Sequence, residues 1–117
     1  MATIKKMILS ESSFGRNIVV SGVNSGQLTT IHTAVGGGVD LDEVYLYAYN
    51  SQIDDVDLTV YWGEVSQFGE MKVSIPYQAG RYMFVDGKIL QSGLPIKAFC
   101  SSGYGINIDG YVNRFDY

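Results

Sequence analysis

Asp42-Glu43-Val44-Tyr45-Leu46-Tyr47-Ala48-Tyr49 alternates with period two, not 3.6. In an extended chain Val44, Leu46 and Ala48 point one way, and Tyr45, Tyr47 and Tyr49 point the other. The segment 40–49 is also the longest helical candidate in the chain, so reading it as a strand leaves no helix to expect. The same spacing recurs outward from it. Leu58, Val60 and Trp62 share a face opposite Thr59 and Tyr61; Met71, Val73 and Ile75 lie opposite Lys72 and Ser74; Ile106, Ile108 and Val112 lie opposite Asn107, Asp109 and Tyr111. Shorter runs at 18–20, 29–35, 81–85 and 96–100 read the same way.

Turn chemistry separates these runs. It is carried by Gly36-Gly37-Gly38, Asn50-Ser51, Asp54-Asp55, Pro76, Asp86-Gly87, Ser92-Gly93 and Ser101-Ser102-Gly103-Tyr104-Gly105. Breaks about every 8–12 residues and a tally of about eight strands predict an all-β fold, an antiparallel two-sheet sandwich of jelly-roll type. The sandwich is expected over residues 26–117. Residues 1–25 read as an extended N-terminal arm or edge strand, because Met1–Lys6 carries charge with little pattern and Glu11–Arg16 is turn-like.

Composition narrows the function. A chain of 117 residues is one domain long, and 46% hydrophobic against 17% charged residues argues for a packed core and against disorder. The charged fraction lies below the usual ~25%, which suggests that neighbours cover part of the surface. Net charge is −4, and the eight Lys and Arg are scattered from Lys5 to Arg114. Neither nucleic acid nor an anionic membrane is therefore an expected partner. No apolar run reaches the ~18 residues of a membrane helix, and Met1–Leu9 lacks the apolar centre of a signal peptide. The single cysteine, Cys100, has no internal partner and lies in an apolar run, as expected of a buried thiol in a reducing compartment.

No catalytic pattern emerges. The one histidine, His32, reads as a hydrogen-bonded core or surface residue, since a metal site usually needs further His or Cys ligands. Asp40-Leu41-Asp42-Glu43 and Asp54-Asp55-Val56-Asp57 lack the spacing of a calcium loop and read as solvated acidic turns. There is no Gly-x-Ser-x-Gly elbow and no phosphate-binding glycine loop. The expectation is no enzyme, no cofactor and no metal.

The tyrosines remain, nine in the chain. Tyr45, Tyr47 and Tyr49 share one strand face; Tyr61 joins them if that strand pairs with Leu58–Trp62, and Tyr111 joins from the last strand. Such a patch has three uses: the buried lining of a closed barrel, a subunit interface, or a platform on which sugar rings stack. Tyrosine favours interfaces because its ring can be buried while its hydroxyl stays wet. The favoured reading is burial against another subunit or against the arm. Tyr45, Tyr47, Tyr49, Tyr61 and Tyr111 are the self-association candidates.

Several segments carry a resemblance. Leu9-Ser10-Glu11-Ser12 with Gly15-Arg16, Thr30-Ile31-His32-Thr33-Ala34, Asp42–Ala48, Leu58-Thr59-Val60-Tyr61-Trp62-Gly63 and Gly110-Tyr111-Val112-Asn113-Arg114 resemble, in order and approximate spacing, a family of small virion structural proteins of tailed marine phages. The resemblance implies a capsid decoration (cement) protein on the phage head, made in the host cytoplasm. It would bind the major capsid protein and its own copies, with a homotrimer favoured. The arm would contact the capsid, with Ile4, Lys5, Lys6, Phe14 and Arg16 as candidates. Two other readings stand beside it: a carbohydrate-binding β-sandwich module on a phage surface, and a tail or neck component.

Overall fold

The computed structural model describes residues 2–102 and 105–117; the loop expected around Ser102–Gly105 therefore lies partly outside the described residues. Among the described residues there are nine strands: β1 (Thr3–Ile8), β2 (Ile18–Val20), β3 (Thr29–Thr33), β4 (Leu41–Asn50), β5 (Val56–Trp62), β6 (Glu70–Ile75), β7 (Tyr82–Leu90), β8 (Pro95–Cys100) and β9 (Ile106–Asp116). They form two antiparallel sheets. Sheet A runs β1-β9-β4-β7, with β2 also paired to β9, and sheet B runs β3-β8-β5-β6.

The pairing order identifies the topology. β2 pairs β9, β3 pairs β8, β4 pairs β7 and β5 pairs β6. Strands β2 to β9 thus behave as one long hairpin with its tip between β5 and β6. Wrapping that hairpin joins β4 to β9 and β5 to β8, which completes the two sheets. This is the jelly roll, and it meets the expected fold class.

The core lies between the sheets. β4 sends Val44, Leu46 and Ala48 inward, β9 sends Ile106, Ile108 and Val112, and sheet B answers with Leu58, Val60, Ile75, Ile96, Ala98 and Cys100, all of them buried. At the end of β4, buried Asn50 is fully used. Its Nδ2 donates to the carbonyls of Asp54 and Ile75, each at 2.9 Å, and its Oδ1 accepts from Gln52 N–H at 2.8 Å.

Two local readings are corrected. Asp86-Gly87 is not a turn but lies inside β7, which continues to Leu90. The register steps from Val44↔Lys88 to Tyr45↔Asp86, leaving Gly87 as the extra residue of a β-bulge with φ 76°. A positive-φ glycine serves a bulge as readily as a turn, so the dipeptide alone cannot separate them. The arm region also contributes to the sandwich. Residues 3–8 form an edge strand on β9, Leu9 is buried in the core, and β2 occupies the same edge of β9 beyond β1.

Gly110 allows β4 and β9 to approach. A Cβ there would stand 2.0 Å from the Tyr45 carbonyl oxygen, a backbone atom that cannot move alone. Gly110→Ala is expected to destabilise the protein by about 2–3 kcal/mol in urea unfolding, as overpacked cores do. Gly36→Ala, which meets nothing within 4 Å, should stay within about 0.5 kcal/mol of the parent.

Candidate functional site

The alternation of β4 places Leu41, Glu43, Tyr45, Tyr47 and Tyr49 on the outer face of sheet A. Their partners across β9 are Phe115, Asn113, Tyr111, Asp109 and Asn107. Tyr45 and Tyr111 are directly opposite, with ring centroids 4.8 Å apart and planes 14° from parallel. Lys6 Nζ sits 4.4 Å above the Tyr111 ring. Tyr45 donates to Glu43 Oε1 at 2.7 Å, and Asn113 Nδ2 donates to the same oxygen at 3.2 Å. The bond to Glu43, then burial, pushes the Tyr45 hydroxyl up to about 12, so it stays a neutral donor at any physiological pH.

The neighbouring tyrosines are braced as well. The Arg81 guanidinium lies 3.6 Å over the Tyr47 ring and donates to Asp109 Oδ1 at 3.4 Å, while Tyr49 donates to Asp109 Oδ2 at 3.3 Å. Around this braced centre runs an apolar fringe. Ile4 and Ile8 of β1, Val19 of β2, and Met83 and Ile89 of β7 are all exposed. In register, Ile4 lies beside Phe115, Ile8 beside Tyr111, Met83 beside Tyr47 and Ile89 beside Glu43. Braced aromatic rings, interleaved with charges of both signs, thus carry an exposed aliphatic rim.

Four of the five self-association candidates, Tyr45, Tyr47, Tyr49 and Tyr111, therefore share this face. Tyr61 does not. The jelly roll pairs β4 with β7 and β9 rather than with β5, so Tyr61 lies in sheet B, only 6% exposed and tilted against Phe99 at 6.2 Å. The arm candidates divide. Ile4 and Lys6 belong to the outer face of sheet A and Lys5 points to the other side of β1, with all three exposed. Phe14 and Arg16 lie in the β1–β2 connection, where Phe14 is 92% exposed at φ 57° next to Gly15 at φ 85°. The aliphatic rim was missed; its signal was the spacing Ile4-x-x-x-Ile8, hidden by the lysines between.

A second constellation lies inside. Asp42 was expected in a solvated turn; it is fully buried at the start of β4, on the inward side. Arg114 of β9 donates to it twice, Nε to Oδ1 at 2.7 Å and Nη2 to Oδ2 at 3.0 Å. Val35 N–H donates to Oδ2 at 3.2 Å, and His32 Nε2 lies 2.8 Å from the same oxygen. The other ring nitrogen, Nδ1, accepts the Ser10 backbone N–H at 2.9 Å. That bond fixes the tautomer: Nε2 carries the proton and donates to Asp42.

Burial lowers the His32 pKa below 6.5, outweighing the pull of Asp42. For Asp42 burial works upward, but the bonds from Arg114 and then His32 outweigh it and hold the carboxyl below 3.8. Neither group is reachable by a substrate, so this network ties strands together. Among the described residues no group of three or more His, Cys, Asp or Glu is placed to hold a metal. Elsewhere a half-open cleft of about 270 Å³ is lined by Trp62, Phe68, Gly69, Glu70, Met71 and Lys88.

Comparison with protein-family models, curated proteins and solved structures finds no match to this chain.

Both shifts have the same sign in stability. A depressed folded pKa means that the unfolded chain takes up the proton first. Stability is thus expected to fall as pH drops below about 6.5, through His32, and again below about 3.8, through Asp42. Urea midpoints measured from pH 7.5 downward check this. Asp42→Ala, which strands Arg114 and His32 without their acceptor, should cost about 3–5 kcal/mol at pH 7.5.

Proposed function

We propose that the protein is a non-enzymatic structural protein of a virion, a decoration protein that binds the major capsid protein and its own copies to stabilise a phage head. The observation that carries the adhesive part is the outer face of sheet A. Three tyrosines of β4 and Tyr111 of β9 are held there by contacts within the chain, and the apolar rim is left in solvent. Preorganised aromatics of this kind lose little side-chain entropy on docking. The virion part rests on the segments that resemble tailed-phage structural proteins, and the jelly roll suits it.

Magnitudes agree with self-association. Four strand widths of ~4.8 Å and a ten-residue strand of ~3.3 Å per residue give a flat face of roughly 600 Å². Two such faces in contact reach the lower range of stable interfaces, about 1,200 Å² in total. Charge opposes this little, because Lys6, Arg81, Glu43, Asp86 and Asp109 are mixed on the face and several are already paired. A sugar platform fits less well: Tyr45 and Tyr111 cover each other, and Arg81 covers Tyr47, so few ring faces are free to stack on a saccharide. Phe14, exposed on its tight turn, is the natural knob for a capsid surface.

Native mass spectrometry at micromolar concentration is expected to show an oligomer, three copies if the resemblance holds and two if the faces meet about a twofold axis. Tyr45→Ser with Tyr111→Ser should weaken association on the order of 100-fold or more, as the loss of two aromatic anchors does. Tyr61→Phe should leave it unchanged. In co-sedimentation with shells of the virus's major capsid protein, Phe14→Ala should lower binding about tenfold without altering the oligomer. A monomer at every concentration, left in the supernatant by shells, overturns the proposal.

A further inference from the structure

The attachment of the N-terminal strand is unlike that of any other strand. All six residues of β1 are exposed, so the body of β1 is held to the fold chiefly by its ladder to β9. The true anchor comes just after it. Leu9 is buried in the core, Ser10 N–H donates to His32 Nδ1 at 2.9 Å, and Ser10 Oγ accepts from Thr33 N–H at 2.7 Å. Beyond the anchor the chain has slack. β1 ends opposite Tyr111 and β2 begins opposite Ile108, three residues apart on β9. That gap needs only ~10 Å, whereas the seven residues 11–17 alone reach about 24 Å when extended. They are folded up by a tight turn in which Phe14, a non-glycine residue, is held at φ 57°. Opening the turn relieves that backbone and exchanges for water the bonds that close it: Ser12 N–H to the Leu9 carbonyl and Arg16 N–H to the Ser13 carbonyl, each at 3.0 Å, and the Ser12 hydroxyl to the Arg16 carbonyl at 2.7 Å.

We propose that residues 2–10 form an exchangeable arm that leaves its own β9 and pairs with the β9 of a second copy, with residues 11–17 as the hinge and His32 as the latch. The exchanged arm remakes its contacts with the body of the fold: the ladder to residues 111–116, the pocket for Leu9 and the bond from Ser10 to a histidine, all now supplied by the other copy. Only the hinge changes, which is why this route to association costs little. The occupant is a second copy because the acceptor edge is shaped for this arm, down to the Leu9 pocket and the Ser10 acceptor.

The latch follows from the tautomer. A proton taken up by the ring enters at Nδ1, the one nitrogen without hydrogen, and the Ser10 N–H then faces a donor instead of an acceptor. The charged and titratable groups facing the ring are Asp42 of β4, Arg114 of β9 and Glu11 of the hinge; its cross-strand partner on β8 is the uncharged Ile96. Asp42 favours the added proton and Arg114 opposes it. Acidification from neutral pH therefore loosens the arm first, because the Asp42–Arg114 pair stays ionised well below that range. The inference deepens the self-association reading and relies on two copies meeting.

The test uses two surface variants, Lys6→Cys and Asn113→Cys, which face each other across β1 and β9 in one register pair. Each chain carries only one of them, with one chain isotopically heavy, so no bridge between these two positions can form within a chain. The chains are mixed, held at pH 5 or pH 7.5, returned to pH 7.5 and oxidised. A bridge joining heavy to light chain through these two positions is expected, formed at least several-fold faster after pH 5. Amide exchange of wild-type protein is followed in parallel. Residues 3–8 should lose protection on acidification while β7, the other edge of sheet A, keeps it. No mixed bridge, or equal yields at the two pH values, overturns the proposal, as does joint loss of protection at β1 and β7. An oligomer by native mass with no mixed bridge defeats the exchange alone; a monomer throughout defeats the self-association reading too.

Discussion

β4 has to satisfy two surroundings at once, and the architecture follows from how it does so. Its inward side runs Asp42, Val44, Leu46, Ala48 and Asn50, all buried, and its outward side runs Leu41, Glu43 and three tyrosines, all half-buried. It is also the central strand of sheet A, paired along nearly its whole length with β9 on one side and β7 on the other. A slip of one residue would put tyrosines in the core and drive Asp42 away from Arg114, so the register of β4 fixes that of both neighbours. The polar ends of the inward row set its limits: Asp42 binds the strands at one end, and Asn50 closes the loop toward β6 at the other.

The buried Asp42–Arg114–His32 set is better understood as a specificity device than as a source of stability. Burying ions costs about as much as their attraction returns, but a misplaced strand would leave one of them unpaired, at a cost of several kcal/mol. The network joins β3, β4 and β9 at a single carboxylate, and His32 carries the tie on to Ser10 in the segment after β1. The inside of the molecule thereby decides where its most exposed strand is tied, and the outer face of sheet A extends or contracts with that strand, because Ile4, Lys6 and Ile8 belong to both.

Much of this was legible as a pattern, and the failures share a cause. Period-two runs gave the inward and outward sets of β4, β6 and β9, because one-sided burial writes itself into alternating residues; in β5 both Thr59 and Tyr61 on the second side are buried as well. Residues 1–25 read as an arm or edge strand with no choice between the two, because none of the side chains of β1 is buried and nothing in it had to alternate in polarity; its strand character comes from β9. Tyr61 was grouped with the wrong face because alternation says which residues share a side, not which strands are neighbours, and the jelly roll sends β4 and β5 to different sheets. Asp42 sat on the inward parity all along, beside Val44 and Leu46. Its charge argued for solvent, and the residue that reverses the argument, Arg114, is 72 positions away.

Self-association requires the outer face of sheet A to be covered when copies meet. Hydroxyl-radical footprinting of the tyrosines, read residue by residue across a dilution series, tests this most directly. Tyr45, Tyr47 and Tyr111 should be protected several-fold at high concentration and become reactive together on dilution, while Tyr77, half exposed and off this face, reacts equally throughout. Constant reactivity of the three rings at every concentration, and in assembled particles, would contradict it.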